Sequence, residues 1–500
     1  MVEKYKVFEI ELKEVREKKI DSPDIIGVFT HGNKEYRTKG FYAGNNCYKV
    51  RFSPDEEGTW EYRIYSAENL IESVEGIFTC KEAAAENHGM VVRKSTDFSA
   101  ETEDTYKFQY ADGTRYMPFG TTCYAWIYQG EKVCEETIKC LEKSPYNKIR
   151  MCVFPKHYVY NTEEPEKVPF CRTAGNIDFD SFDYSFFDEL EEKICKLDKI
   201  GVEADVILFH PYDRWGFSTM TPEQDRHYLT YLVRRLCHFK NVWWSLANEY
   251  DLMHEKVEED WEDFAKIIMD NDPYGHLRSI HNNIIFYDYH KPWITHCSIQ
   301  RVDVYKTAEM ITDWRKEYKK PVVVDECGYE GNMDYGWGNL TGEELTRRFW
   351  EGYMRGGFLS HGECFVDKGD KIWWSHGVKM YGSSTERIGF LRKIMEELPE
   401  DMVPMELTKE NHEEFWDCAC LHQGEHLYIH YLGFSKPLYR NILLPENRMY
   451  RIELIDTWNM TRETLNGLYS GQTRIYMGER QYMAIKIVEE ERSGSGLTIK

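Results

Sequence analysis

The pattern of apolar and polar positions changes character twice along the chain. Over roughly the first 85 residues it alternates with a period of two between turn signals, in "YKVFEIELK", "DIIGVFTHGNKEYRTKGFYAGNNCYKVRF", "GTWEYRIYS" and "GIFTCKE". Short alternating strands at this spacing predict an antiparallel sandwich, and "AAAENHGM" marks its exit. From about residue 104, apolar strand-like runs alternate with amphipathic segments of helical period. Helices are predicted around 131–143, 183–199, 222–238, 258–270, 304–318, 341–354 and 384–397. The runs "YMPFGTTCYA", "NKIRMCVF", "VEADVILFH", "NVWWSLAN", "HLRSIHN", "WITHCSIQ", "PVVVDE" and "GGFLSHGE" supply the strands. Eight β-then-α units in about 290 residues have the size of a (β/α)8 TIM barrel. The last hundred residues return to short strands, as in "FWDCACLH", "HLYIHYLG", "YRIELIDTWN" and "YMAIKIVE". The predicted class is thus α/β. An N-terminal antiparallel β-sandwich (1–88) precedes the barrel (89–400), and a C-terminal antiparallel β-sandwich (401–500) follows it. The end, "RSGSGLTIK", reads as a frayed tail.

Composition narrows the partners. A formal net charge of −23 argues against nucleic acid and anionic membranes, which select basic patches. No run approaches the ~20 apolar residues of a membrane span, and the charged start lacks a signal-peptide core, which predicts a cytoplasmic chain. Aromatics make up 15%, as suits either a sugar-binding enzyme or β-rich domains. The fourteen cysteines show no framework spacing and read as small buried hydrophobes of a reducing compartment. Cys418, Cys420 and His422 read as alternation along a strand, not as a metal fragment.

Barrel chemistry collects at the carboxyl ends of the strands. Polar residues expected there are Trp126 after the first strand, Arg150 in the second, His210 after the third, and Asn248 and Glu249 after the fourth. His281 follows the fifth, His296 lies at the sixth, Glu326 ends the seventh, and His361 and Glu363 lie at the eighth. Glu249 and Glu326 stand out because each ends a strongly apolar strand. A lone glutamate in such a place is usually a solvated loop residue or a helix cap. Two facing each other across one barrel mouth are what glycoside hydrolysis needs: one protonates the leaving oxygen while the other attacks the anomeric carbon. His210, His296 and Glu363 are candidate ligands of sugar hydroxyls, and Trp126, Trp373 and Trp374 are candidate stacking platforms.

"LANEY" and "VVVDECGY" resemble the strand-four and strand-seven signatures of clan A glycoside hydrolases, the retaining (β/α)8 glycosidases. The resemblance implies that Glu249 is the acid/base, Asn248 a ligand of the sugar 2-hydroxyl and Glu326 the nucleophile. It also implies that Arg150 keeps the nucleophile ionised, and Tyr305 is a weaker candidate contact. "GFYAGNNCYKVRFSPDEEGTWEY", "FQYADGTRYMPFGTTCYAW" and "WSHGVKMYGSSTERIGFLRKI" are similar to a bacterial three-domain family, whose clan A barrel is related to apiosidase-like enzymes. That similarity spans nearly the whole chain and implies fold and mechanism more firmly than substrate. It implies a carbohydrate substrate, no cofactor and no metal, and leaves the oligomeric state open. Intact flanking domains and the charged start favour exo action on small oligosaccharides or glycosides.

Two rival readings remain at this stage. A metal-dependent hydrolase would use His210, His281, His296 and Asp325, although strand one, "GTTCYAW", lacks the His-x-His pair of such enzymes. A non-catalytic carbohydrate-binding protein would explain the sandwiches but not the two carboxylates.

Overall fold

The computed structural model describes residues 1–15, 19–95, 102–303, 306–405 and 418–490. Tyr305 and the tail from residue 491 lie outside the described residues.

Eight parallel strands form the central sheet: β1 (Gly120–Thr122), β2 (Lys148–Cys152), β3 (Glu203–Phe209), β4 (Val242–Ala247), β5 (Arg278–Ser279), β6 (Cys297–Gln300), β7 (Val322–Glu326) and β8 (Phe358–His361). The spatial order β5-β4-β3-β2-β1-β8-β7-β6 is that of a barrel opened between β5 and β6. A parallel bridge from His281 to Ser298 closes that seam. Strands covered on both faces have no polar side to present, and β3 and β4 are buried at every position.

The outer layer comprises α1 (Glu131–Leu141), α2 (Tyr184–Lys199), α3 (Pro222–Leu236), α4 (Glu258–Asn271), α5 (Ile311–Tyr318), α6 (Gly342–Met354), the single turn α7 (Trp373–His376) and α8 (Ser384–Glu397). Helix α3 shows why the boundaries are sharp. Thr221 and Gln224 form a reciprocal capping box, and Pro222 occupies the first turn where its missing N–H costs nothing.

The sequence pattern predicts no helix between the fifth and sixth strands, and β5 is followed by none among the described residues. Residues 280–296 carry Asn282, Asn283 and Pro292 and show no helical period. The chain there is held by side chains instead. Asp251 accepts from the amides of Asn283 (2.5 Å), Ile284 (2.8 Å) and Ile285 (2.8 Å).

A three-stranded sheet of Val91–Arg93, Phe108–Tyr110 and Arg115–Tyr116 plugs the amino end of the barrel. The Phe108 ring packs 5.3 Å from Trp243 and 5.5 Å from Phe358.

The N-terminal sandwich packs a five-stranded sheet on a three-stranded one. Its pairing is antiparallel except where Val2–Glu3 runs parallel to Cys80–Lys81. Arg51 leaves this domain and enters the barrel, donating to both oxygens of Glu191 on α2 (2.8 and 2.9 Å) and to the Arg235 carbonyl on α3 (2.8 Å). The C-terminal unit is a six-stranded antiparallel sheet faced by a two-stranded ribbon. It docks on α6, where Tyr431 stacks on Trp350 at 5.4 Å. Among the described residues no helix is long and apolar enough to cross a membrane.

Candidate active site

Inside the barrel, alternate residues of the strands bring charge into a sealed interior. The Lys148 ammonium bridges Asp205 (2.6 Å) and Asp325 (2.8 Å). Asp325 also accepts from Ser298 (2.6 Å) and Ser360 (2.9 Å). Burial opposes ionisation of Asp325, yet the neighbouring Lys148 and Arg150 charges hold its carboxyl well below the usual range. Above this layer lies Arg150, fully buried, with Asp205 at 3.5 Å and Glu326 at 3.9 Å. None of its guanidinium nitrogens has a hydrogen-bond partner among the described residues.

The two strand-end carboxylates meet above Arg150. Asn248 continues the ladder, its amide donating to the Phe209 carbonyl at 2.9 Å. At Glu249 the backbone turns into the left-handed region (φ 53°, ψ 56°), a conformation costly for a residue with a Cβ and concentrated at functional sites. Glu326 is the last residue of β7, and the β6–β7 register slips by one between Ile299 and Gln300 beside it. Such irregularities re-aim side chains near active sites.

A chain of polar contacts joins the pair, the single Tyr124 hydroxyl proton being shared between two acceptors. The Tyr124 hydroxyl contacts Glu326 Oε1 and lies 3.1 Å from Asn248 Oδ1. Asn248 Nδ2 donates to Glu249 Oε2 at 3.3 Å. The Tyr212 hydroxyl donates to the same Oε2, and Gln300 donates to Oε1 at 3.0 Å. Burial pushes the Glu326 carboxyl up to about 8, with the Tyr329 hydroxyl opposing. Arg150 and Tyr124 both favour the anion.

An aromatic wall flanks the pair. Tyr124 meets Trp374 edge-on at 5.8 Å, Trp337 lies 5.2 Å from Trp374, and Tyr335 stacks on Trp337 at 5.8 Å. The loop after β2 is tied to the loop after β8 by Asn161–His376 (3.1 Å) and Lys371–Glu163 (2.8 Å). These ties wall the mouth on the β1 side.

The structure thus gathers Asn248, Glu249, Glu326, Arg150 and Trp374. Other expected residues lie elsewhere. His296 precedes β6 at the amino end of the barrel, 5.3 Å from Trp243 and 5.9 Å from Phe108. Burial lowers its pKa to about 3. His210 is close to the mouth, but one ring nitrogen meets the Phe154 carbonyl (3.1 Å) and the other accepts from the Tyr212 amide (3.2 Å). Both of its nitrogens are therefore spent on backbone. Trp126 is wholly buried in the barrel core, and Trp373 is buried with its indole N–H on Thr121 (2.8 Å), so neither offers a face to a sugar. His361 lies between Thr121 (3.1 Å) and Glu363 (3.4 Å). Glu363 in turn accepts from the Tyr381 amide at 2.6 Å. Those two residues brace the approach to α8.

Cys418, Cys420 and His422 lie on or beside a strand of the C-terminal sheet, Ala419–Gln423. The four residues of the metal-hydrolase alternative are not brought together, because His296 is at the far end and the Asp325 oxygens are occupied. Among the described residues no group of three or more His, Cys, Asp or Glu side chains is arranged to hold a metal ion.

Residues 102–399 match the family described as apiosidase-like, catalytic domain. The chain belongs to this family. Flanking segments match two domains of unknown function, DUF5060 over residues 1–67 and DUF5605 over 416–488. The crystal structure of a candidate glycoside hydrolase from Bacteroides vulgatus ATCC 8482 is 35% identical, covers 98% of this chain and 99% of its own, and superposes with a TM-score of 0.88. A glycoside hydrolase family 5 structure from the same strain is 15% identical, covers 81% of this chain and 94% of its own, and gives a TM-score of 0.61. At that identity it attests the fold alone. No curated protein matches the chain. The family match accounts for the barrel, and the long relative extends the likeness to both sandwiches.

Proposed function

We propose that the protein is a retaining glycoside hydrolase working by double displacement. The observation that carries this reading is the cluster Glu326–Tyr124–Asn248–Glu249, which brings two strand-end carboxylates together about two shared polar side chains. Glu326 attacks the anomeric carbon while Glu249 gives its proton to the leaving oxygen. The C–O bond breaks, the alcohol departs, and an ester links Glu326 to the sugar. Glu249, now anionic, takes a proton from water as the water oxygen attacks the same carbon. The ester breaks, and both carboxyls return to their starting states.

Arg150 and the Tyr124 hydroxyl favour ionised Glu326, and Tyr212 and Gln300 orient Glu249. The aromatic wall offers faces to C–H surfaces of a sugar. Exo action on small oligosaccharides or glycosides is the favoured mode, supported by the ties that close the mouth along β1.

Proton NMR of the first-formed anomer tests the mechanism on a substrate found by screening aryl glycosides and oligosaccharides. Net retention is expected, and an inverted product overturns the role of Glu326. Glu249→Ala should slow poor leaving groups most. Added azide should restore turnover and give a glycosyl azide of retained configuration, since this small anion needs no general base.

A further inference from the structure

Four lysines are buried among the described residues: Lys148, Lys156, Lys256 and Lys320. Three are satisfied by the protein. Lys148 bridges Asp205 and Asp325, Lys256 pairs with Asp225 (2.5 Å), and Lys320 donates to the carbonyls of Tyr289 (2.6 Å) and Lys291 (2.8 Å). Lys156, 5% exposed, is different. Its ammonium lies over the rings of Tyr124 (3.7 Å), Tyr212 (4.4 Å) and Trp374 (5.0 Å), and no carboxylate or carbonyl reaches it at bonding distance among the described residues.

Ring faces attract an ammonium but accept none of its three N–H bonds in the manner of an oxygen. A buried cation without an anionic partner is costly. This one sits on the two tyrosines whose hydroxyls hold Glu326 and Glu249, so its free donors belong to the same mouth. Burial brings its pKa down to about 8, with Cys152 and Glu249 opposing, so it is still charged at neutral pH.

We propose that Lys156 is the subsite for an anionic substituent, a carboxylate or a sulfate ester, on the sugar held at the carboxylate pair. The proposal rests on the glycosidase reading of the mouth and narrows its substrates to acidic sugars. The aromatic cage fixes the ammonium, and the incoming anion supplies the acceptors that the protein withholds.

Isothermal titration calorimetry at low salt, in the Glu326→Gln background, tests this without turnover. The ligands are methyl glycosides of glucuronic, galacturonic, mannuronic, guluronic and iduronic acids, the 6-sulfates of glucose and galactose, and the neutral parent of each. At least one acidic glycoside should bind tenfold or more tightly than its neutral parent. Whether it is a uronate or a sulfate distinguishes the two anions. Lys156→Met should abolish the preference, and Lys156→Arg should keep most of it. If every neutral parent binds as well as its acidic partner, the proposal is overturned whether or not the Met variant folds. It is equally overturned if folded Lys156→Met keeps the preference. Neither result touches the glycosidase mechanism, which the anomer measurement tests separately.

Discussion

Two glutamates at two strand ends carry the proposed chemistry at the scale of residues, and each has a measurable cost. Glu249 sits at φ 53°, where glycine is free of Cβ strain. Glu249→Gly should therefore be more stable than Glu249→Ala by about 1 kcal/mol, read from denaturant midpoints. Burial pushes the Glu326 carboxyl up to about 8, well above the ordinary glutamate range. Its protonated form is favoured on folding, so its contribution to stability is full below pH ~4.5 and is lost as pH rises towards 8. Glu326→Gln removes that titration. The variant's melting temperature should exceed the wild type's by a margin that grows from pH 4.5 and levels off above pH 8. In the proposed mechanism this carboxyl must be ionised while Glu249 is protonated, so kcat/KM of the wild type should be bell-shaped in pH, and Glu326→Gln should lose several orders of magnitude of activity. Both glutamates were legible in the sequence because each ends an apolar run. Tyr124 and Tyr212 were not. A tyrosine near a strand end has no distinguishing pattern, and in "TTCYAW" the larger Trp126 drew attention while the structure turns it into the core.

At the scale of elements, the strands and helices followed from periodicity because burial on both faces and capping leave strong local marks. The stretch from 280 to 296 did not, since its order comes from one side chain, Asp251, reaching three amides from another loop. His296 lies at the amino end, which was hidden for a related reason: the sequence shows that a histidine adjoins a strand, while only the start of that strand decides which end of the barrel it occupies. Tyr124 is the element-scale joint, carried just beyond β1 and touching the products of β4 and β7. Tyr124→Phe removes its bonds to Glu326 and Asn248 but leaves the ring beneath Lys156. A hydrogen bond to a charged group is worth about 1.5–3 kcal/mol, so kcat/KM should fall roughly ten- to a hundredfold with the fold unchanged, as circular dichroism and steady-state kinetics would show.

At the scale of the whole molecule, the sandwiches were legible in outline and their attachment was not, because contacts between domains leave no periodic trace. Arg51 is the clearest case: in the sequence it is one charge in a strand, and in the structure it is sealed between domains against Glu191 and Arg235. Arg51→Ala removes these hydrogen bonds between the domains, but the Arg235 guanidinium still pairs with Glu191, so the cost should be that of lost hydrogen bonds to a charged group, about 1.5–3 kcal/mol. The first thermal transition should fall accordingly, and a melting curve unchanged from wild type would show that the domains are held by other contacts.

This clasp also bears on how the chain is made. A ribosome releases the first sandwich long before it has synthesised α2 and α3, so the Arg51 guanidinium, held meanwhile by Glu9 of its own domain (2.7 Å), waits for a second carboxylate that does not yet exist. The N-terminal domain can complete its own core meanwhile, because that core is separate from the barrel's. Docking must then strip the hydrated cation and seal it in one event, once Glu191 is presented on a formed helix. The order of synthesis thereby becomes an order of assembly, in which the nascent sandwich is a waiting template and the barrel's second and third helices are the part that commits it.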